Sequence, residues 1–502
     1  MISSPLFISS LAYTPSRVTT YSIAADSPFL RGPIVSKMTN ESTVIFWRTE
    51  NASDAMVEYG LSDSNLNETI TNSTLDTDHR ILLDDLSPDT IYFYRVSSDT
   101  DTSDIYHFKT APLEAGSFKL VVFGDNRPSS NAAPVPPEEY ETLVDMIVLE
   151  EPNLVIHSGD FVYRVTDDIE ANLYAWKLFN QITDRVAHYA PVIGVIGNHD
   201  VGALTGTVHT EYYFDAFEFY DKPSTYFSFD YGGAHIIALD SEQLNLEGRI
   251  TGAQWDWLIN DLNSTTQPVK IAVAHRPLYA CSHIGSALDV NITERDMLQS
   301  LFEEKNVTLF FAGHDHLYNR LTVNGVTHII AGGAGAPLYV TPWGGAYYNY
   351  VVANVSPAKI ELEAIKIDGK VTDTYQIPYH GPIEIDIRGF GNGSTNPAGE
   401  KPEVYFSKIP TTVYYSWDGG SNSTELTGIP NSEGLHSLEI YAEDSEGVWG
   451  YNRFTFHAIV EITTTSTPLP EPTDSGLTLI LLITAGGVAA VIIVVILVKK
   501  FR

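Results

Sequence analysis

Five short apolar runs in the middle of the chain are each followed at once by a cluster of polar residues. The runs are FKLVVF, NLVIH, PVIGVI, KIAVA and VTLFFA, and helix-like stretches such as EEYETLVDMIVLEE alternate with them. Strands that alternate with helices form an α/β sheet, and the loops at the carboxyl ends of its strands converge on one crevice. We therefore expect one α/β domain over residues 117–378, with five polar loops meeting at one site.

The polar clusters are rich in side chains that bind metal ions. They are Gly124-Asp125-Asn126-Arg127, Gly159-Asp160-Phe161-Val162-Tyr163, Gly197-Asn198-His199-Asp200, His275-Arg276-Pro277 and Gly313-His314-Asp315-His316. Carboxylate, amide, phenol and imidazole groups suit iron, manganese or zinc better than a thiolate site would. A glycine directly after a strand allows the tight turn that would point the next side chain at a metal.

This donor set is suited to a pair of metal ions. One carboxylate can bridge two cations, and cations about 3.5–4 Å apart can activate water and bind the oxygens of a phosphate group. A single Gly-Asp or Gly-Asn-His is more often a turn than a ligand. Five clusters in series, each after a strand, predict a two-metal phosphoesterase.

Strand-like alternation of apolar and polar residues flanks the α/β region on both sides. Residues 28–112 contain TVIFWRT, AMVEYG and LSPDTIYFYRV, which predict a small all-β sandwich. Residues 381–460 contain TVYYSWDG, HSLEIYAED and RFTFHAIV, which predict a second, Ig-like sandwich of unassigned function. Residues 461–475 are rich in Thr and Pro and are expected to form an unfolded stalk.

The run at 476–498 is uncharged and, at about 1.5 Å per residue, long enough to cross a bilayer as a helix. The basic residues in 499–502 that follow it predict a cytoplasmic tail. We therefore expect a single-pass cell-membrane protein whose catalytic body is extracellular. Gly486 and Ala490 lie four residues apart, a spacing that would let two such helices pack closely as a homodimer.

An extracellular body needs an export signal, and residues 1–27 have no basic residue before Arg17 and only a weak apolar stretch. The signal is atypical or missing, and a tail-anchored protein with a cytoplasmic body would also account for this. Asn-x-Ser/Thr sequons favour a glycosylated exterior protein. They begin at Asn40, Asn51, Asn67, Asn72, Asn263, Asn291, Asn306, Asn354, Asn392 and Asn422.

Charge and cysteine content exclude two features. The net charge is -34, with only 29 Lys and Arg, so we expect no nucleic acid partner, because neutralising its phosphates takes clustered basic residues. Cys281 is the single cysteine, so the chain has no intramolecular disulfide. We expect Cys281 to be a small buried residue rather than a nucleophile.

The motif series GD, GDxxY, GNH, HRP and GHDH resembles that of the calcineurin-like metallophosphoesterases, which implies an α/β/β/α sandwich core. Tyr163 and the longer final motif GHDHLYNR are similar to purple acid phosphatases. The segment LSPDTIYFYRV resembles the fibronectin type III-like domain that precedes their catalytic domain. The match covers about residues 28–378.

The resemblance implies which side chains bind the two metals. They are Asp125, Tyr163 and His316 for the first metal, Asn198, His275 and His314 for the second, and Asp160 as the bridge. A phenolate ligand implies Fe(III) in the first position, and the second metal would be Zn, Mn or Fe(II).

Three further residues are candidates for catalysis. His199 follows the ligand Asn198 and would act as a general acid or as a phosphate contact. His283 resembles a substrate-contacting histidine of the family, with a plain surface histidine as the equal alternative. Arg127 stands where many relatives have histidine and purple acid phosphatases a small residue. Its guanidinium favours a bidentate phosphate contact over a structural ion pair.

The leading hypothesis is that the protein hydrolyses small phosphate monoesters at the cell surface by attack of a metal-bound hydroxide. A phosphodiesterase or nucleotidase is the enzymatic alternative, because the same two-metal centre serves both reactions. A membrane-tethered surface or adhesion protein with a relic phosphoesterase domain is the alternative of another class. Every ligand position is filled, which argues against a relic.

Overall fold

The computed structural model describes residues 28–113, 116–130, 134–201, 209–218, 224–356, 359–378, 383, 385–388, 394–407, 409–443, 449–459, 477–481 and 495–499. The predicted N-terminal segment 1–27 and stalk 461–475 lie outside these residues. The domain limits predicted from the sequence stay predictions.

The N-terminal β domain is confirmed and consists of one six-stranded antiparallel sheet. Its strands are β1 (Arg31–Ser36), β2 (Thr43–Gly60), β3 (Glu68–Leu83), β4 (Ile91–Ser98), β5 (Asp101–Thr102) and β6 (Tyr106–Lys109). The first half of β2 pairs with β1 and its second half with β4, and its register against β3 shifts in between. In β4, alternate residues Tyr92, Tyr94 and Val96 are buried, as the period of a strand requires.

Residues 117–378 form two six-stranded sheets. The first sheet contains β7 (Phe118–Phe123), β8 (Leu154–His157), β9 (Val192–Gly194), β16 (Asn349–Val355), β17 (Lys359–Lys366) and β18 (Val371–Pro378), in the order β18-β17-β16-β7-β8-β9. The second contains β10 (Phe227–Tyr231), β11 (Ala234–Ala238), β12 (Val269–Val273), β13 (Leu309–Ala312), β14 (Tyr318–Val323) and β15 (Val326–Ala331), in the order β10-β11-β12-β13-β15-β14.

Helices cover the outer faces of the sheets. They are α1 (Glu138–Leu149), α2 (Ile169–Ala187), α3 (Glu211–Phe217), α4 (Gly252–Ser264) and α5 (Ile292–Glu304). One apolar core joins α1 and α2 to the first sheet and the first sheet to the second, and another joins the second sheet to α4 and α5. Ile271 and Val273 of β12 face the first core and Ala272 faces the second. The predicted α/β/β/α core is therefore confirmed.

Three arginines fix the N-terminal β domain to α3. The guanidinium carbons of Arg31, Arg48 and Arg80 lie 5.5, 5.6 and 4.8 Å from the centre of the Phe46 ring. Arg48 forms an ion pair with Asp215 at 2.7 Å, and Arg80 with Glu218 at 2.7 Å. Burial raises the pKa of Glu218 to about 7, against the opposing effect of Arg80. The contact therefore depends on charge pairing that burial makes costly to disrupt.

α3 in turn packs against the loops at the ends of β8 and β9. The Tyr213 hydroxyl donates to the Gly194 carbonyl at the end of β9, at 2.8 Å. The ring of Phe217 packs 4.9 Å from the ring of Phe161, which follows Asp160 directly in the chain. The β domain therefore supports the loop that carries Asp160.

The C-terminal region contains two further sheets around their own apolar core. Their strands are β19 (Ile385–Arg388), β20 (Thr395–Pro397), β21 (Glu403–Phe406), β22 (Thr412–Trp417), β23 (Gly434–Glu443) and β24 (Trp449–Ile459). Strands β19 and β21 pair with each other, and the other four form the sheet β20-β24-β23-β22. The guanidinium of Arg388 lies 5.4 Å from the Tyr279 ring, which fixes this region to the catalytic domain.

The transmembrane helix predicted at 476–498 is not supported by the described residues. No helix among them is both long and apolar enough to span a membrane. The described ends of the run form an antiparallel pair of strands, β25 (Leu477–Leu481) and β26 (Val495–Lys499). Residues 482–494 lie outside the described residues.

Candidate metal centre

The predicted ligands lie at the carboxyl ends of strands from both sheets. Asp125 follows β7, Asp160 follows β8 and Asn198 follows β9, all in the first sheet, whereas His275 follows β12 and His314 follows β13 in the second. These strands run parallel within their sheets. The edge where the two sheets meet therefore collects side chains from distant parts of the sequence.

In three of the turns after the strands, the residue after the glycine also adopts a left-handed backbone conformation. Asp125, Asp160 and His314 have φ angles of 63°, 60° and 67°, in the left-handed region that non-glycine residues rarely adopt. Gly159 itself has a φ of 101°, whereas the constraint at Gly313 and Gly197 is space. A Cβ on Gly313 would lie 2.2 Å from the Asp125 carboxylate, and one on Gly197 would lie 2.3 Å from the Asp160 nitrogen. The glycines let the loops touch, and the residues after Gly124, Gly159 and Gly313 make the turns.

Asp125, Asp160 and His316 form the first group of ligand atoms. All three residues are buried, and one ligand atom from each lies within 4.8 Å of the other two. Burial and the neighbouring Asp160 carboxylate hold the pKa of Asp125 well above its ordinary range. The pKa of Asp160 is lowered, because the nearby His275, His199 and Arg127 outweigh the opposite effect of burial. Two buried carboxylates so close together are stabilised by a cation.

Asn198, His275 and His314 form the second group. The Asn198 side-chain oxygen lies 3.0 Å from Nε2 of His275 and 2.9 Å from Nδ1 of His314. The His275 Nε2 is also 3.3 Å from the Asp160 carboxylate, which joins the two groups. The Nε2 of His314 is buried with no hydrogen-bond partner among the described residues. Nδ1 of His314 lies 3.3 Å from Nε2 of His275, so one nitrogen of each ring and the Asn198 oxygen converge, as the donors of a metal ligand set do.

Backbone carbonyls fix the orientation of two of the histidines. Nδ1 of His275 bonds to the Ser158 carbonyl at 2.8 Å, and Nδ1 of His316 bonds to the Pro337 carbonyl at 2.7 Å. Burial lowers the pKa of His316 to about 4 and also lowers the pKa of His275. The backbone bond at Nδ1 leaves Nε2 of each ring to face the centre, as in metal-binding histidines.

Tyr163 lies at the edge of the centre. Its ring is 5.5 Å from the His199 ring and 5.7 Å from the Arg127 guanidinium carbon. No hydrogen bond joins its hydroxyl to any residue that the structure describes. The structure therefore brings Tyr163 beside the first group without placing its oxygen in contact with Asp125 or His316. Its role as a metal ligand stays a prediction.

Arg127 and His199 both contact Asp160. Nε of Arg127 donates to one Asp160 oxygen at 3.1 Å, and the backbone N–H of His199 donates to the other at 3.1 Å. Nδ1 of His199 contacts the Tyr163 carbonyl, and burial lowers the pKa of the ring. Arg127 thus forms a structural ion pair with Asp160, which was the less favoured of the two roles expected from the sequence.

His283 lies at the centre because Asp315 holds it there. The buried Asp315 carboxylate accepts hydrogen bonds from the backbone N–H groups of Cys281, Ser282 and His283 at 2.5, 2.8 and 3.0 Å. It also bonds Nδ1 of His283 at 2.7 Å. The His283 ring packs 4.4 Å from the ring of His314. This role of Asp315 was not predicted, because its partners lie more than thirty residues away in sequence.

Asp200 is a second positioning residue that the sequence analysis missed. Its buried carboxylate accepts hydrogen bonds from the N–H groups of Gly197, Asp160 and Phe161 at 2.7, 2.9 and 2.8 Å. Asp200 therefore ties the Asp160 loop to the Asn198 loop. The local part of this pattern, an Asp three residues after a Gly, is a common turn-closing arrangement that could have been read from sequence.

Comparisons with known proteins agree with this geometry. The calcineurin-like phosphoesterase family model matches residues 107–318, and the purple acid phosphatase N-terminal domain model matches residues 34–110. Purple acid phosphatase 23 of Arabidopsis thaliana is 24% identical over 61% of this chain and 69% of its own length. Acid phosphatase type 7 of Danio rerio is 26% identical over 56% of this chain and 68% of its own length.

A solved structure supports the same fold. Purple acid phosphatase from yellow lupin (Lupinus luteus) seeds aligns with a TM-score of 0.56 and 21% identity over 71% of this chain and 75% of that chain. The chain thus carries a calcineurin-like phosphoesterase domain behind a purple acid phosphatase N-terminal domain, as the motifs predicted. It is a metal-dependent phosphoric ester hydrolase.

The substitution Asp200→Asn tests how the two loops are held. The amide turns an N–H group towards backbone donors, so we expect the affinity for Zn²⁺ to fall about 10–100-fold while the fold is kept. Titration against a competing chelator measures the affinity, and thermal unfolding monitors the fold. Asp256→Asn, on the exposed side of α4, is the control and should bind metal as the wild type does. Unchanged affinity in Asp200→Asn would contradict the positioning role.

Proposed function

We propose that this calcineurin-like phosphoesterase hydrolyses phosphate monoesters at a binuclear metal centre. The observation that carries the proposal is the buried group of Asp125, Asp160 and His316, with ligand atoms within 4.8 Å of one another. Asp160 connects this group to His275 and Asn198, which would be ligands of a second cation. The residues that would hold the metals are Asp125, Asp160, Tyr163, Asn198, His275, His314 and His316.

Bound metals would polarise the phosphate group and activate a water molecule for in-line attack. The chain's own contribution is to hold the ligands rigidly before substrate arrives. Ser158 and Pro337 orient His275 and His316, and Asp200 fixes the loops of Asp160 and Asn198. Such preorganisation lowers the barrier, because the groups need not rearrange as charge develops.

Two histidines are placed to handle the proton of the leaving alcohol. Nδ1 of His283 is bonded to Asp315, which leaves its Nε2 for the substrate. Nδ1 of His199 is engaged by the Tyr163 carbonyl, which leaves its Nε2 near Asp160, at 3.9 Å. Either imidazole can donate a proton to the ester oxygen as it leaves, or bind a phosphate oxygen. His283 is the better placed for the leaving group because it is a third exposed, whereas His199 is 14% exposed.

Arg127 completes the phosphate side of the proposed site. Its Nε is engaged by Asp160, and its side chain is 12% exposed. The two terminal nitrogens of its guanidinium make no hydrogen bond to the described residues. They are therefore available for a charge-assisted contact with a phosphate oxygen. In this proposal the ion pair with Asp160 orients Arg127 for the phosphate, so the two roles weighed from sequence are compatible.

We also propose that the body of the protein lies outside the cell, tethered by residues 476–498. The support is the uncharged run, the basic residues after it and the sequons. Pairing of two such segments through Gly486 and Ala490 stays a prediction.

Protease added to intact cells tests this location. We expect it to degrade the phosphoesterase body while a cytosolic marker in the same cells stays whole, since the membrane protects only what lies inside. A body that survives until the cells are permeabilised would rule the location out.

Replacing the bridging carboxylate tests the activity. We expect Asp160→Asn to lower turnover of a mono-aryl phosphate by at least about 100-fold, because it weakens the ligand shared by both metals. The matched control is Asp167→Asn, whose carboxylate lies seven residues further along and is 81% exposed. Turnover in Asp160→Asn equal to that of the wild type would rule out this centre. Faster hydrolysis of a bis-aryl than of a mono-aryl phosphate by the wild type would favour the phosphodiesterase alternative.

The proposed Fe(III) site has a spectroscopic test. A phenolate bound to Fe(III) gives a visible charge-transfer band, so we expect a coloured wild-type protein and a colourless Tyr163→Phe variant with the same iron content. Absorption spectra and elemental analysis measure both quantities. An active, metal-loaded wild type without the band would show that Tyr163 does not bind iron.

A further inference from the structure

Large apolar side chains are exposed in two segments, residues 281–284 and 339–343, which reach the polar centre through His283 and Tyr339. Ile284, Val340 and Trp343 are 66%, 89% and 44% exposed, and the half-buried Tyr339 lies next to Val340 in sequence. We call these four residues the apolar rim. Exposed apolar residues scattered singly over a surface need no explanation, but a group of them around a ligand site does.

Tyr339 contacts both the metal side and the substrate side of the centre. Its ring stacks on the His316 ring with centres 4.3 Å apart and planes at 11°. The Tyr339 ring also makes an edge-to-face contact with the His283 ring, with centres 5.1 Å apart and planes at 71°. The backbone N–H of Tyr339 donates to the His316 carbonyl at 3.0 Å. Tyr339 therefore has a fixed position between a predicted metal ligand and the predicted leaving-group histidine.

The two segments that carry the rim are held together. The Cys281 thiol donates to the Trp343 carbonyl at 3.8 Å, and the Asn319 amide donates to the same carbonyl at 2.5 Å. Asp315 holds the other segment through the turn that leads to Ile284. The rim is thus preorganised, which reduces the entropy that a ligand would lose on binding to it.

We propose that the apolar rim binds the alcohol portion of the substrate and gives the enzyme a preference for phosphoesters with aromatic or bulky apolar leaving groups. This inference rests on the proposed function. The phosphate must lie on the metals and the ester oxygen near His283, so the group attached to that oxygen extends past Tyr339. A planar ring there can pack against the tyrosine ring and against Ile284 and Val340. A small polar alcohol would leave these residues in water.

Kinetics with two substrates tests the preference. We expect the wild-type holoenzyme to have a higher kcat/KM for 2-naphthyl phosphate than for glycerol 2-phosphate. Tyr339→Ala should lower the value for the naphthyl ester roughly 10–100-fold, the range that a hydrophobic pocket contact supports, and should lower the value for the glycerol ester much less. Tyr339→Phe keeps the ring and should restore the naphthyl value. Tyr174→Ala removes an exposed tyrosine on α2 and is the control.

Equal losses on both esters would overturn the proposal, since they would show that Tyr339 acts through metal binding. Failure of Tyr339→Phe to restore the rate would also overturn it, since the hydroxyl rather than the ring would then be needed.

The binding of unreactive phosphonates distinguishes a failure of this inference from a failure of the proposed function. Calorimetry should show phenylphosphonate binding the metal-loaded protein more tightly than methylphosphonate, with the difference lost in Tyr339→Ala. An inactive wild type that still shows this difference would contradict monoester hydrolysis alone. Equal binding of the two phosphonates, or none, would overturn the apolar rim.

Discussion

The burial of Asp125 next to Asp160 is the interaction on which the rest of this structure depends. Removing two carboxylates from water costs several kcal/mol each unless partners or cations compensate them. The chain provides partial compensation. The backbone N–H of His314 donates to Asp125, and Arg127 and the N–H of His199 donate to Asp160. The remaining negative charge is what makes the site attractive to cations rather than merely tolerant of them.

The need to bring buried ligand side chains close together also explains the unusual backbone conformation around the site. Three residues in the left-handed region cost on the order of 1–3 kcal/mol each when they are not glycine. Asp125, Asp160 and His314 are all ligands in the proposed centre, so the turns that are costly are the ones that aim ligand side chains. Asp200 offsets part of this cost at Asp160 by accepting hydrogen bonds from the N–H groups of Asp160 and Phe161. The stability of the two sheets below allows the loops to remain strained.

The sequence predicted the parts of this site that depend on local pattern and missed those that depend on distant contacts. A buried strand followed by Gly-Asp or Gly-Asn-His is visible in a few residues, so the convergence of five loops on one edge could be expected. The roles of Asp315 and Tyr339 could not, because their partners are backbone groups or rings brought near by the fold. Sequence also could not show that Arg127 would meet Asp160. The transmembrane helix expected at 476–498 is not supported by the described ends of that run, which pair with each other as strands.

The arginines on Phe46 bear on how this domain pair evolved. Arg31, Arg48 and Arg80 belong to the β domain, whereas Asp215 and Glu218 belong to the catalytic domain, and the five side chains share one contact. An exchange of the β domain for an unrelated sandwich would leave Glu218 buried without its cation, next to the helix that supports the Asp160 loop. A change of charge on one side of this contact would therefore have to be matched on the other side to keep both domains in place.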